Sequence, residues 1–168
     1  LMQIHNMLDW QGHLETLKAW KAEGRIRYIG ITTSHGRRHE ELERALAKEP
    51  FDFAQFTYNL ADRDVEQRLL PLAAERGIAV MINRPFDGGA LFGPVRGKPL
   101  PAWATEFDCT NWAQFFLKFI VSHPAVTCAI PATSQVAHMI ENMGAGFGRL
   151  PDAATRRRMF AHYAKLAG

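Results

Sequence analysis

The sequence is poor in several features that would place it at once in a functional class. No apolar run approaches the ~18 residues of a membrane-spanning helix, so we expect no transmembrane segment and no membrane partner. Its two cysteines, Cys109 and Cys128, form no CxxC pair, so no metal site or thioredoxin-type motif is indicated, while a disulfide between them is neither required nor excluded. Gly88-Gly89 fits neither the GxGxxG nor the P-loop spacing, which favours a flexible turn over a phosphate loop.

The excess of charge of one sign is also small, since the formal net charge is +3. The one dense basic cluster is Arg156-Arg157-Arg158, which we interpret as a solvated helix face rather than a phosphate contact. No nucleic-acid partner is therefore predicted. With 47% hydrophobic and 22% charged residues, the composition is typical of a soluble globular protein, for which the cytoplasm is the default compartment.

Hydrophobic periodicity predicts strands alternating with amphipathic helices. The predicted strands are residues 1–6, 25–31, 51–58, 78–82 and 125–130. The predicted helices are residues 12–23, 38–48, 64–75, 112–122, 134–143 and 151–166, with a kink expected at Pro71. This alternation indicates βαβ units and a parallel α/β sheet. About five strands cannot close a (β/α)8 barrel of roughly 250 residues, so an incomplete barrel and a small complete open sheet both remain possible.

Two features concern the boundaries of this sheet. The chain starts at Leu1, and the strand-like Met2-Gln3-Ile4 follows without the few loose residues that usually precede a first element. We therefore expect the beginning of the domain, and any targeting signal within it, to be missing. In either architecture the sheet would have two open edges, through which the isolated chain is expected to self-associate.

Polar residues at the ends of the predicted strands are the candidates for chemistry, because functional groups of parallel α/β folds gather there. His5 could donate a hydrogen bond to a carbonyl oxygen, or it could be satisfied by backbone. Gln55 needs a partner for its amide, either a ligand carboxamide or a neighbouring backbone group. Arg84 suits an anion or a structural ion pair. Ser134 precedes a helix whose first amides could receive a phosphate, or it only caps that helix.

Five segments, in chain order, resemble those of the aldo/keto reductase family. They are Leu1-Met2-Gln3-Ile4-His5-Asn6 (the fourth strand), residues 21–32 (an EGKIRxIGvS-like segment), residues 52–59 (a QxxYN motif), residues 77–86 (in place of GIxvxAYSPL) and residues 123–142 (an IPG…EN block). Each motif alone is modest, but the five together in the family's order form a specific pattern.

The resemblance implies that residues 1–168 are the C-terminal portion of a single (β/α)8 barrel domain, with strands 1–3 missing and C-terminal helices present. It implies an enzyme that binds NADP(H) or NAD(H) and reduces a small carbonyl substrate by hydride transfer. His5 would orient the substrate carbonyl. The residues implied in cofactor binding are Thr32, Thr33 and Gln55 at the nicotinamide carboxamide, Asn83, Arg84 and Phe86 along the ring and pyrophosphate, and Ser134, Gln135, His138, Glu141 and Asn142 around the adenosine.

Several positions depart from the family pattern. Thr32-Thr33 replaces Ser-Asn, and Asn83 stands where the family has a ring-stacking tyrosine. The basic residues near the adenosine 2′-phosphate are absent, which removes the basis for preferring NADP to NAD. The family's proton-donating tyrosine, with its Asp and Lys, belongs to the first three strands, so the isolated chain is expected to be inactive. A non-catalytic dinucleotide-binding or regulatory barrel is the alternative.

Overall fold

A computed structural model describes residues 1–168 and contains one sheet of five parallel strands. The strands are β1 (Met2–Ile4), β2 (Ile29–Thr32), β3 (Phe53–Thr57), β4 (Ala79–Asn83) and β5 (Cys128–Ala129). Each strand pairs with its neighbour in sequence, so the order is β1-β2-β3-β4-β5 and the edges of the sheet are β1 and β5. The predicted five-stranded parallel α/β sheet is confirmed.

Helices follow the strands along the chain. They are α1 (Trp10–Ala22), α2 (His39–Lys48), α3 (Leu69–Glu75), α4 (Trp112–Val121), α5 (Val136–Gly144) and α6 (Ala153–Ala167). Short 3₁₀ turns occur at His5–Met7, Asp64–Glu66, Asp87–Phe92 and Ala102–Phe107. The single helix predicted for residues 64–75 is wrong. It is divided at Arg68, and Pro71 then lies in the first turn of α3, where its missing N–H costs no helical hydrogen bond.

One face of the sheet packs against the helices. Alternate strand residues such as Ile31, Ala54 and Val80 are fully buried in one hydrophobic core with leucines from α1 to α3. Residues between them, such as Gln55 and Met81, are only half-buried on the opposite face. Parallel sheets are normally covered on both faces, whereas the chain covers this second face only partly and leaves Gln55 accessible there.

Helix α4 carries a buried charge. Lys118 is fully buried and donates hydrogen bonds to the carbonyl oxygens of Phe147 (2.7 Å) and Arg149 (2.9 Å), which lie between α5 and α6. Burial lowers the pKa of its ammonium group. A buried charge without hydrogen-bond partners would be strongly destabilising. The two carbonyl oxygens meet this need and thereby join the segment before α6 to the core helix α4.

The arginine triplet corrects the interpretation of a solvated helix face. The Arg156 side chain is only 13% exposed, forms an ion pair with Glu66 at 3.2 Å and lies 4.8 Å from the centre of the Phe119 ring. The Arg158 guanidinium lies 4.2 Å from the ring centre of Trp103, and Arg157 alone is exposed without such contacts. Arg156 and Arg158 therefore help to dock α6 on the rest of the chain.

Two further sequence questions have simple structural answers. Cys109 and Cys128 are both free, so they form no disulfide. None of the helices has the length and hydropathy to cross a membrane. Several exposed large hydrophobic residues follow β5 and lie on or near α5, namely Ile130, Val136, Met139, Ile140, Met143 and Phe147.

Candidate functional site

A cavity of about 640 Å³ lies at the carboxyl ends of β1 to β4, and we call it the strand-end cavity. Its eleven lining residues are His5, Asn6, Leu8, Thr32, Thr33, Ser34, His35, Arg37, Arg38, Gln55 and Asn83. The structure thus brings together five of the predicted site residues, from four different strands or the loops that follow them. This is the edge at which parallel α/β proteins hold their ligands.

His5 lies on a tightly folded loop directly after β1. The loop has positive φ angles at Asn6 (52°), Met7 (56°) and Asp9 (41°), a conformation that L-residues adopt only at a cost. The fully buried Met7 side chain and a 2.8 Å hydrogen bond from the Asn6 amide to Thr32 Oγ1 hold it in place. The His5 side chain is exposed and makes no hydrogen bond within the chain. The alternative of a histidine satisfied by backbone is therefore wrong.

Arg38 fastens this loop to the start of α2, a role that sequence reasoning missed. Its Nη1 donates to the carbonyl oxygens of Met7 (2.7 Å) and Asn6 (3.2 Å). Its Nε and Nη2 donate to the Glu41 carboxylate, both at 2.8 Å. Trp10 Nε1 also donates to Glu41, at 2.9 Å, and the hydrogen bonds from Arg38 and Trp10 lower the pKa of that carboxyl. No local motif shows this contact, because the two loops are far apart in sequence.

Asn83 connects the ends of three strands. Thr57 Oγ1 donates to Asn83 Oδ1 at 2.7 Å, and Asn83 Nδ2 donates to the Thr33 carbonyl at 2.8 Å. The backbone N–H of His35 in turn donates to Thr57 Oγ1 at 3.0 Å. Both polar atoms of the Asn83 amide are thus used within the chain. At the position where the resemblance implied a stacking ring, the chain has a hydrogen-bonded crosslink.

Gln55 has a side-chain partner that neither sequence interpretation included. Gln3 Nε2 donates to Gln55 Oε1 at 3.2 Å, and Gln55 Nε2 makes no hydrogen bond within the chain. The Gln3 side chain lies against Gly30, where an added Cβ would come within 2.8 Å of Gln3 Cγ. Gly30 therefore leaves room for the contact between β1 and β3. The pairing directs the Gln55 amide so that its N–H donors remain free at the strand-end cavity.

Arg84 forms a structural ion pair, which is one of the two alternatives predicted for its charge. Its Nη2 donates to Asp87 Oδ1 at 2.9 Å, so the guanidinium is already paired with a carboxylate. Its carbonyl accepts a 3.0 Å hydrogen bond from Asn59 Nδ2. Gly88 and Gly89 form a short turn with φ angles of 64° and 98°, where glycine has little conformational cost. The guanidinium lies close to this turn, because a Cβ at Gly88 would be 3.3 Å from Arg84 Nη2.

A second cavity of about 330 Å³ lies beside α5, and we call it the α5 cavity. It brings together Phe86, His138, Glu141 and Asn142 of the predicted residues; its other lining residues are Phe92, Ala113 and Thr133. Ser134 and Gln135 are exposed and do not line it. The interpretation of Ser134 as helix cap is wrong. The N-cap is Gln135, whose backbone N–H donates to Thr133 Oγ1 at 3.1 Å.

The three tyrosines lie outside both cavities. Tyr58 is fully buried and donates a 2.5 Å hydrogen bond to Glu66, and burial raises the pKa of its hydroxyl. Tyr163 is buried and donates to the Leu91 carbonyl at 3.3 Å. Tyr28 packs edge-on against Phe53. A phenol that could deliver a proton beside His5 is therefore absent from this chain.

The chain is similar to proteins of one known family. The sequence profile of the Aldo/keto reductase family matches residues 2–157. An uncharacterized oxidoreductase of Schizosaccharomyces pombe is 28% identical over 148 residues, which are 86% of this chain and 46% of that protein. The NADH-specific methylglyoxal reductase of Escherichia coli is 32% identical over 88 residues, which are 52% of this chain and 26% of that protein. The chain therefore spans less than half the length of these curated relatives.

Solved structures agree on the fold. Aldo-keto reductase AKR11C1 from Bacillus halodurans, in its holo form, superposes with a TM-score of 0.72 at 21% identity, over 96% of this chain and 59% of that one. An aldo/keto reductase from Klebsiella pneumoniae, in complex with NADP and acetate, gives a TM-score of 0.74 at 23% identity, over 96% of this chain and 57% of that one. The five-stranded sheet is thus a partial barrel of the kind found in these proteins.

Proposed function

Because the chain belongs to the aldo/keto reductase family, we propose that it forms part of a nicotinamide-dependent oxidoreductase that reduces an aldehyde or ketone by hydride transfer. The main supporting observation is that one short segment connects the two cavities. Asn83 lines the strand-end cavity and Phe86 lines the α5 cavity. Three residue steps cover at most about 10 Å, so a single extended dinucleotide can contact both.

The residues present fit such a dinucleotide, NADP(H) or NAD(H). The free N–H donors of Gln55 and the hydroxyl of Thr32 would hold the nicotinamide carboxamide, with Thr33 Oγ1 as an acceptor only, because it donates its proton to the Arg37 carbonyl. The cofactor when bound would supply the hydride. The α5 cavity offers aromatic and polar contacts to an adenosine but contains Glu141 and no lysine or arginine. A 2′-phosphate would therefore find no charge-assisted partner there, which favours NAD(H).

His5 is the residue proposed to act on the substrate. Its exposed imidazole would donate a hydrogen bond to the carbonyl oxygen and so favour the charge that develops there during hydride transfer. The oxygen must also receive a proton, and none of the tyrosines of this chain lies at the strand-end cavity. We propose that the proton donor belongs to barrel strands outside residues 1–168 and that the isolated chain does not turn over.

The same proposal covers the domain and its partners. Residues 1–168 would be the C-terminal portion of a single barrel domain, in which further strands cover the edges β1 and β5 and the apolar surface beside α5. Without them, the edges and the exposed Val136, Ile140 and Phe147 side chains favour self-association of the isolated chain. Sedimentation at increasing protein concentration tests this, and a monomer at all concentrations would contradict it.

A fluorescence titration of the folded chain with NADH and NADPH tests cofactor binding. We expect saturable binding, with NADH at least as tight as NADPH, and a loss of about tenfold in Gln55→Met. Gln67→Met, at an exposed position outside the two cavities, is the matched control. ADP-ribose, which has no nicotinamide, should bind both variants equally. Equal NADH affinity in the parent chain and Gln55→Met would contradict the assigned nicotinamide site.

Catalysis is tested by joining the chain to the N-terminal half of a family member. Reduction of a simple aromatic aldehyde by the fusion, abolished or strongly reduced in His5→Ala, is the expected result. A folded fusion that binds NADH but never turns over would instead support a non-catalytic dinucleotide-binding or regulatory barrel. The observation that favours this second function is the hydrogen-bonded Asn83, which stands where the family has a tyrosine that stacks on the nicotinamide ring.

A further inference from the structure

The wall of the strand-end cavity is unusually polar for a small-molecule site. Of its eleven lining residues only Leu8 is hydrophobic, and none is acidic. Ligand sites are ordinarily lined mainly by apolar and aromatic side chains, with a few polar groups that fix orientation. A wall of hydroxyls, amides, imidazoles and guanidinium groups offers few apolar contacts to stabilise a bound apolar substrate. It offers many hydrogen bonds to a small, strongly hydrated one.

The charges on this wall are of one sign and are not all neutralised. Arg38 is paired with Glu41, at 2.8 Å. Arg37 is exposed, and its guanidinium makes no ion pair and no hydrogen bond within the chain. The imidazoles of His5 and His35 add two further groups that can donate hydrogen bonds. The cavity therefore has a net positive wall with one fully available guanidinium.

The backbone around Arg37 makes hydrogen bonds to residues at the ends of β2 and β3. Thr33 Oγ1 donates to the Arg37 carbonyl at 2.6 Å, and the His35 amide is bound to Thr57 at 3.0 Å. His35 and Arg38 have positive φ angles of 60° and 57°, on either side of Arg37. Conformations of this kind persist where the surrounding structure fixes them, and they are concentrated at functional sites. The loop is thus fixed while the guanidinium is left unpaired.

We propose that the carbonyl substrate carries an anionic group, a carboxylate or a phosphate, and that Arg37 binds this group while the carbonyl lies at His5. A guanidinium binds a carboxylate or phosphate through two parallel hydrogen bonds, which are stronger than neutral ones. His35 lines the same cavity, and its Nε2 would add a third donor, because its Nδ1 is hydrogen-bonded to Ser34 Oγ. The proposal rests on the proposed reductase function and adds the chemical class of its substrate.

The first test measures binding to the 168-residue chain by calorimetry, using 4-oxobutanoate and its uncharged methyl ester. These two aldehydes differ in charge at one end and share the carbonyl. We expect the anion to bind at least tenfold more tightly than the ester, and Arg37→Gln to abolish that difference. Arg157→Gln removes an equal charge from an exposed site on α6 and should leave it unchanged. Equal affinity for anion and ester, or no effect of Arg37→Gln, would overturn the proposal.

Two further arms separate this proposal from the reductase function and from cofactor phosphate binding. In the fusion described above, Arg37→Gln should lower kcat/KM for 4-oxobutanoate at least tenfold and change that for the ester less than twofold. Reduction of both aldehydes with no preference for the anion would refute the substrate class and leave the reductase intact. A matching loss of NADH affinity in Arg37→Gln would show that the anion recognised is the cofactor's phosphate, and would also overturn the proposal.

Discussion

Replacing Asn83 with aspartate tests whether this amide is a structural crosslink or a free ligand-binding group. Asn83→Asp keeps the acceptor for Thr57 but removes the donor to the Thr33 carbonyl, which lies 2.8 Å away. An ionised carboxylate would place one of its oxygens beside the carbonyl oxygen of Thr33, and two acceptors at this distance repel each other. Losing a donor to a buried acceptor costs about 1–3 kcal/mol. For a protein of this size that corresponds to a fall in Tm of roughly 2–12 °C at pH 8.

The pH dependence of this variant gives a second, sharper test. The carbonyl of Thr33 and the half-buried position should raise the pKa of the new carboxyl above the usual value of about 3.9, because both favour its neutral form. The protonated form can donate to Thr33, so the Tm difference from the parent chain should shrink between pH 8 and pH 5. Gln67→Glu, an exposed charge change of the same sign, is the control. A Tm equal to that of the parent chain at pH 8 would refute the crosslink.

Two other titratable sites lead to predictions outside the cavities. Burial, and then Arg156, lower the pKa of His123, so the folded chain holds this proton less tightly than the unfolded chain does near and below about pH 6.5. Stability should therefore fall as pH drops through that value, and the urea midpoint of His123→Gln should fall less between pH 7.5 and 5.5 than that of the parent chain or of exposed His13→Gln. Burial raises the pKa of Cys109 to about 11 and also raises the pKa of Cys128. Both thiols should react slowly with a disulfide reagent at pH 8 and fast in guanidinium; fast reaction of both in the native chain would argue against the packing around them.

The sheet was predictable because its signals are local. Each strand is a short apolar run, and helix-period residues such as Leu42, Ala45 and Leu46 mark the segments between them. The ends were less predictable: the strand expected from residue 25 begins only at Ile29, because hydrogen bonds from neighbouring strands decide where pairing starts. His5 and Gln55 could be located at the cavity because strand ends of parallel sheets share one edge.

The contacts that shape the site were not predictable, because they join residues that are far apart in the chain. Nothing near Arg38 in sequence indicates that it binds the carbonyls of the His5 loop. Arg156 reads as one of three surface charges, and its burial depends on Glu66, ninety residues earlier. The pairing of Gln3 with Gln55 likewise requires the register of three strands, which hydrophobic pattern alone does not determine.

The sequential strand order has a consequence for how the chain folds. Because every strand pairs with its neighbour in sequence, no pairing has to wait for a distant part of the chain. Three pairings close segments of roughly 25 residues, and the one between Met81 and Cys128 closes a segment about twice as long, at an added entropic cost of only about 0.6 kcal/mol. Folding can therefore start at any adjacent pair of strands and spread outward. Each pairing nevertheless has to close its loop before it forms, as in parallel sheets generally, and this makes such a sheet slower to fold than a helical bundle.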